Sequence, residues 1–367
     1  MKIRSIEAIP VRAPRTKPMV AAAGPPLVVS DFGIVRLRTE DGLEGLGEIS
    51  MNGGRTGAIQ CDDVNRLIAP ALVGADARDI RRLIGAMDRA LDGSEPAKAG
   101  VEMALFDVVG KCLGVPVYQL LGGKVRDRAP VCWGLGFGPP EKSAEEAARY
   151  VADGFGTIKI KVGRPGTDLD VAMIATVRRR LGDAVNLKVD ANTAYTSPMQ
   201  AVQEIRRMEE YRLQLVEQPL KADQLEGMAF VRAHISTPIL ADESMWRWQD
   251  AYAIARSGAA DVLSVYVSEA GGLLAASKAF AIGEAAGLPA LIGSQCELGI
   301  ATAAMAHLAV AMPSLAYESD ITGHLRYPVD IIHERLDYAG GAIRPPDAPG
   351  LGVTLDEDVL QLWRLDR

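Results

Sequence analysis

The spacing of apolar residues along this chain changes near residue 129. Ahead of that point, residues 2–12 and 32–38 alternate apolar and polar positions as strands do, and GLEGLGE (42–48) follows from a turn at Glu40-Asp41-Gly42. Helical spacing then runs from about 57 to 112, and AKAGVEMALFDVVGKCLG closes it on a glycine, as a helix C-terminus does. This part predicts an α+β domain. Further on, short apolar runs (APVCWGLG, GTIKIKVG, NLKVDAN, LQLVEQP, PILADES, DVLSVYV, PALIGSQ and SLAYESD) alternate with amphipathic stretches such as SAEEAARYVADG and SPMQAVQEIRRMEEY. Strand-then-helix alternation predicts parallel strands joined by helical crossovers. Eight such strands in roughly 190 residues predict an α/β fold of the TIM-barrel kind rather than an open sheet. No GxGxxG follows the first of them, which counts against a dinucleotide-binding sheet. The expected division is residues 1–125, 126–330, and a segment 331–367 that returns to the first domain.

With 367 residues, 48% of them hydrophobic, the chain can bury a large barrel plus a smaller domain. A formal net charge of −7 counts against a nucleic-acid partner, since phosphate neutralisation needs a basic face. No apolar run approaches the roughly 20 residues of a membrane span, and MKIRSIEAIPVR lacks the apolar core of a signal peptide. Cys61, Cys112, Cys132 and Cys296 show no close pairing and suit free thiols in a reducing cytoplasm.

In a parallel barrel, chemistry sits at the C-terminal ends of the strands. In TIKIKVG (157–163), Lys159 and Lys161 point the same way and Ile158, Ile160 and Val162 the other. An exposed strand with a solvated lysine face is the ordinary alternative. The next three strands end in VDAN, VEQP and ADES, delivering Asp190 with Asn192, then Glu217, then Asp242 with Glu243, one βα unit apart. A single such acid is often only a turn or helix N-cap residue. Three on consecutive strand ends would repel one another unless a cation joins them, and an all-oxygen set suits Mg²⁺ rather than zinc. His234, His307, His324 and His333 are not spaced as a ligand set.

KIK at 159–161, DAN at 190–192, EQP at 217–219 and ADES at 241–244, with YQLLGG at 118–123 and PGLGV at 349–353, resemble the enolase superfamily. The match is to the muconate lactonizing subgroup of its mandelate racemase/muconate lactonizing enzyme family. The resemblance implies a (β/α)7β modified TIM barrel under an N-terminal α+β capping domain, with Mg²⁺ held by Asp190, Glu217 and Asp242. It implies abstraction of a proton α to a carboxylate, giving an enediolate stabilised by the metal; sites of that superfamily combine a Lys or His base with Mg²⁺. Lys161 is then the base. Lys159 is the counter-ion of the substrate carboxylate and the neighbour expected to depress the pKa of Lys161.

The sequence also departs from the family pattern. Relatives carry a further lysine five residues before a Gly-Gly; here that position, ahead of Gly271-Gly272, is Tyr266. With an ordinary pKa near ~10, Tyr266 is a better proton donor than base, or else it simply packs. GSQCELG offers no histidine; Glu297 matches a glutamate near the substrate in relatives, with a structural hydrogen-bonding role as the other reading, and Cys296 reads as a small filler. YESDITG lacks the DxD of dipeptide epimerases; Glu318 and Asp320 read as substrate contacts or turn acids. GPPLVVSD (24–31) and SMNGGRTG (50–57) are expected to close over the mouth, with Arg55 either on a second substrate carboxylate or an exposed loop arginine, and Trp133, Trp246 and Trp248 as an apolar wall, Trp248 reading equally as core between helices. The expected protein is a cytoplasmic homo-oligomer acting on a small carboxylate by elimination or cycloisomerisation, muconate cycloisomerase-like or an acid dehydratase. The alternatives are a racemase or epimerase, and a metal-binding scaffold without turnover.

Overall fold

The computed structural model describes residues 1–20, 26–51, 54–164 and 168–366. Strands β1 (Ile3–Met19), β2 (Leu27–Thr39) and β3 (Glu44–Ile49) form an antiparallel sheet in that order. The helix Glu95–Leu113, buried along most of its length, packs on this sheet. The glycines of GLEGLGE make that approach possible: a Cβ on Gly47 would overlap the Gly100 carbonyl, and one on Gly45 the Ala104 carbonyl.

A short strand β4 (Ala129–Pro130) leads into seven parallel strands, which are hydrogen-bonded in chain order. They are β5 (Trp133–Leu135), β6 (Thr157–Lys161), β7 (Asn186–Asp190), β8 (Leu213–Glu217), β9 (Ile239–Ala241), β10 (Val262–Val265) and β11 (Ala290–Ile292). The eighth predicted strand, SLAYESD, is not a continuous one. It contributes bridges to both edges of the sheet instead, Ala290↔Leu315 on one side and Val131↔Ser319 on the other. Ser319 N donates to Pro130 O and Asp320 N to Ile292 O, both at 2.9 Å, so this segment closes the ring. β12 (Ala342–Ile343) pairs antiparallel with β4.

Alternation along the strands sorts the two faces. Ile158, Ile160, Val189 and Val216 join the main core beneath the helices. Leu215, Leu240, Val262 and Leu291 form a separate cluster on the other face, inside the ring. Burying such side chains contributes about 1.5–3 kcal/mol each. Glu217 and Asp242 stand two residues beyond Leu215 and Leu240 and therefore face inward above this apolar plug.

Buried carboxylates join cap to barrel. Glu48, at the end of β3, accepts from Leu298 N at 2.7 Å and Ala301 N at 2.9 Å, capping the helix Gly299–Ala311, whose own N-cap residue, Leu298, has no capping oxygen. Glu102 does the same for the helix Leu273–Ala286, accepting from Leu273 N and Leu274 N. In the C-terminal segment, Leu351 N donates to Asp107 Oδ1 at 2.7 Å and Leu365 N to Pro10 O at 2.9 Å.

His307 ties three parts of the chain together. Its Nδ1 accepts from Tyr118 N at 3.3 Å and its Nε2 faces Leu351 O at 3.1 Å, which fixes the neutral Nε2–H tautomer. Burial lowers its pKa to about 4. An unfolded histidine protonates near ~6.5, so the folded chain takes this proton later than the unfolded one. Stability is full above that value and falls as pH drops towards 4, by about 3 kcal/mol in all. Urea unfolding of the wild type should steepen its pH dependence in this window relative to His307→Gln; identical slopes would remove His307 as the cause.

Among the described residues no helix is long and apolar enough to cross a membrane. All four cysteines are free, and burial pushes the Cys61 thiol up to about 12.

Candidate active site

The ladder sets three polar side chains abreast. Lys161 pairs with Asp190, and Asp190 with Glu217, across β6, β7 and β8. Lys161 Nζ lies 2.5 Å from Asp190 Oδ2 and 2.7 Å from Asn192 Oδ1. Lys159 Nζ is 3.0 and 3.1 Å from the two Glu217 oxygens, 2.7 Å from Asp320 Oδ2 and 3.5 Å from Asp190 Oδ2. The lysines are thus buried among acids, not on a solvated face.

Their electrostatics differ from the sequence expectation. Burial pushes Lys161 down, Asp190 pulls it up, and Lys159 pushes it down again; the balance is upward. The same competition, with Asp320 and Glu217 as the counter-charges, holds Lys159 well above its usual value. The depressed Lys161 expected from its lysine neighbour is therefore not found, because a carboxylate in direct contact outweighs a like charge further off. Burial raises Asp190, but Lys161 and Lys159 more than reverse this and leave it below the ordinary carboxylate range.

The donor set can be tested for a dication. Two ammonium groups face four carboxylates, Asp190, Glu217, Asp242 and Asp320, and burial together with the Asp190 charge pushes Glu217 well above and Asp242 above the ordinary carboxylate range. Asp242 Oδ1 and Glu243 Oε2 are buried and accept no hydrogen bond. Burial, then Asp242 and Asp190, raise Glu243 to about 8. Crowded carboxylates and orphaned acceptors on an all-oxygen set fit a hard cation such as Mg²⁺. In the arrangement seen, no three acid, histidine or cysteine side chains among the described residues are gathered closely enough to hold a metal, and Glu217 gives both its oxygens to Lys159.

Several supporting residues have no obvious sequence signal. Gln218 adopts φ +35°, a strained conformation for a non-glycine residue. There its Oε1 accepts from Asp242 N at 2.9 Å and its Nε2 donates to Ser244 Oγ at 2.8 Å, fixing the end of β9 against the end of β8. Asn192, at φ +41°, donates to Glu243 Oε1 at 3.2 Å while accepting from Lys161, so it orients the ammonium. Asp320, from the ring-closing segment, also receives the Cys132 thiol at 3.0 Å.

Tyr266, at the end of β10, is buried. Burial and the charge of Asp242 raise its pKa well above the usual value, so its hydroxyl stays protonated. Its ring lies over Gly293, where a Cβ would overlap it. Glu297 is buried with Ser294 Oγ at 2.5 Å and Ser50 Oγ at 3.3 Å, so both its oxygens are occupied by serines. Two expected substrate residues lie elsewhere. Trp133 pairs with Ile158, on the face opposite the lysines, and stacks on Tyr150 with ring centres 3.5 Å apart. Arg55 is exposed and ion-paired with Asp63 at 2.9 Å. Trp246 and Trp248 are exposed. Of the two expected closing loops, residues 24, 25, 52 and 53 lie outside the described residues.

A capped ring of parallel strands with lysines and carboxylates on its inward strand ends defines a barrel enzyme. The mandelate racemase/muconate lactonizing enzyme N-terminal domain model matches residues 5–122, and the enolase C-terminal domain-like model residues 142–359. The chain is 34% identical to the L-Ala-D/L-Glu epimerase of Bacillus subtilis, over 96% of this chain and 97% of that one. It is 32% identical to the N-succinyl-L-Arg/Lys racemase of Bacillus cereus, over 98% and 97%. The solved structure of muconate lactonizing enzyme from Pseudomonas fluorescens, complexed with muconolactone, superposes with a TM-score of 0.96 at 34% identity, covering 99% of each chain. The chain belongs to the mandelate racemase/muconate lactonizing enzyme family of the enolase superfamily, and it is an enzyme of that superfamily.

Proposed function

We propose that the protein abstracts the proton α to the carboxylate of a small acid, with Lys161 as base, and completes an elimination or cycloisomerisation. The observation that carries this reading is the shared register of Lys161, Asp190 and Glu217 on three adjacent strand ends. Asp190, Glu217 and Asp242 would hold Mg²⁺, which when bound supplies Lewis-acid stabilisation of the negative charge that develops on the substrate carboxylate. Lys159, held cationic by Asp320 and Glu217, is a counter-ion for the same charge. Lys161 accepts a proton only when neutral, so weakening its pairing with Asp190 lowers its pKa, and Lys159 then pushes it the same way. Asn192 aims the Lys161 amine. The Tyr266 hydroxyl, protonated and beside Asp242, is a proton donor for the second half of the reaction.

A racemase or epimerase is the second reading. It is supported by the two relatives named for such activities, and it requires Tyr266 to deliver the proton on the face opposite Lys161. Incubation of the Mg²⁺-loaded protein in D₂O with acid sugars, muconates and N-acyl amino acids tests both readings. The expected result is α-deuterium incorporation in one class, lost on chelation. Product stereochemistry then separates elimination from epimerisation. No incorporation in any class would overturn proton abstraction.

A further inference from the structure

One charged side chain inside the ring has no part in the proton-abstraction reading. Lys188, on β7, stands two residues before Asp190 and therefore faces inward with it, while Leu187 and Val189 turn out to the main core. Its ladder partner on β8 is Leu215, a member of the apolar plug, and its partner on β6 is Lys159. Lys188 is 1% exposed. A lone ammonium in an aliphatic layer is costly, and replacing a buried ion pair by apolar groups is often neutral or stabilising. Packing alone therefore does not account for a lysine here.

Its contacts supply a reason. Lys188 Nζ donates to Glu318 O at 2.6 Å and lies 3.5 Å from Glu318 Oε2, which also accepts from Gln214 Nε2 at 3.2 Å. β7 and the ring-closing segment that carries Glu318 are not neighbours in the ring, so this bond crosses its interior. The segment has no continuous ladder of its own. Bridges hold it at Leu315 and Ser319, and among the described residues no main-chain N–H reaches the Glu318 carbonyl, the place that Lys188 fills. Two residues on, the Asp320 carboxylate lies on Lys159 at 2.7 Å. Burial raises the Asp320 carboxyl, but the Lys159 charge and then the Lys188 charge reverse this and leave it below the ordinary carboxylate range. The bond and the charge of Lys188 thus converge on the residue that holds Lys159.

We infer that Lys188 is a positioning residue: it braces the ring-closing segment from inside the barrel and so keeps the Asp320 carboxylate on the Lys159 ammonium. The inference deepens the proton-abstraction reading and rests on it for the kinetic consequence. The test uses the full chain with Lys188→Met, with Lys188→Arg, and with Lys188→Met paired with Glu318→Gln. The pair leaves no lone carboxylate and keeps the test open should the single change unfold the chain. Crystal structures give the first readout. Asp320 should leave hydrogen-bond range of Lys159 in both Met variants and stay within it in Lys188→Arg, whose guanidinium still reaches the Glu318 carbonyl. α-Deuterium exchange by the Mg²⁺-loaded protein, with the acid found by screening, gives the second. Lys188→Met should lower its rate roughly tenfold, as for one lost buried hydrogen bond, and Lys188→Arg should recover most of that. In an Asp320→Asn background, Lys188→Met should cost less than about twofold, whereas a merely structural lysine would cost the same in both backgrounds. Asp320 unmoved in the Met variants, or equal losses in both backgrounds, overturns the inference. If no acid exchanges even with the wild type, proton abstraction falls and the crystal structures alone decide the brace.

Discussion

Lys161→Ala should lower α-hydrogen exchange by roughly 10²–10⁴-fold, the contribution of a positioned general base. The fold should survive. Lys161 ends β6, its ammonium packs on no apolar core, and Asp190 keeps Lys159 at 3.5 Å once Lys161 is gone. The buried Asp190 charge is therefore not orphaned, which separates this substitution from one at Asp190 itself. Deuterium wash-in with the acid identified by screening gives the rate, and calorimetric Mg²⁺ titration gives a control expected to stay close to the wild type. Exchange retained at the wild-type rate would remove Lys161 as the base.

The parts of this site visible in the sequence are those governed by rules of local spacing. Alternation in TIKIKVG places Lys159 and Lys161 on one face, and the βα repeat places Asp190, Glu217 and Asp242 on successive strand ends. What depends on register between strands was less legible. Trp133 lies on the outer face because it pairs with Ile158, and no local pattern shows that pairing. Asp320 becomes the 2.7 Å partner of Lys159 only because its segment closes the ring, and that segment does so through isolated bridges rather than a strand. Gln218 stands in a quoted motif, but its role follows from an unusual backbone angle. The direction of the Lys161 shift also escaped, because it depends on a 2.5 Å contact with Asp190 competing with a lysine neighbour. Spacing identified both groups without giving that distance.

Tyr266→Phe is expected to lower turnover by roughly 10²-fold, the lower end for loss of a positioned proton donor, while α-deuterium exchange at Lys161 continues. The two measurements separate because they report different halves of the reaction: exchange needs only the base, and product needs a proton delivered elsewhere. Gly293→Ala approaches the same hydroxyl from below. A methyl there would overlap the Tyr266 ring, so the ring must shift while the hydroxyl remains. If position matters, Gly293→Ala should reproduce the split between exchange and turnover. A Tyr266→Phe enzyme with unchanged turnover would leave the ring as packing. Loss of exchange together with turnover would instead mean that Tyr266 supports Asp242, its neighbour in the acid cluster, rather than handling a proton of its own.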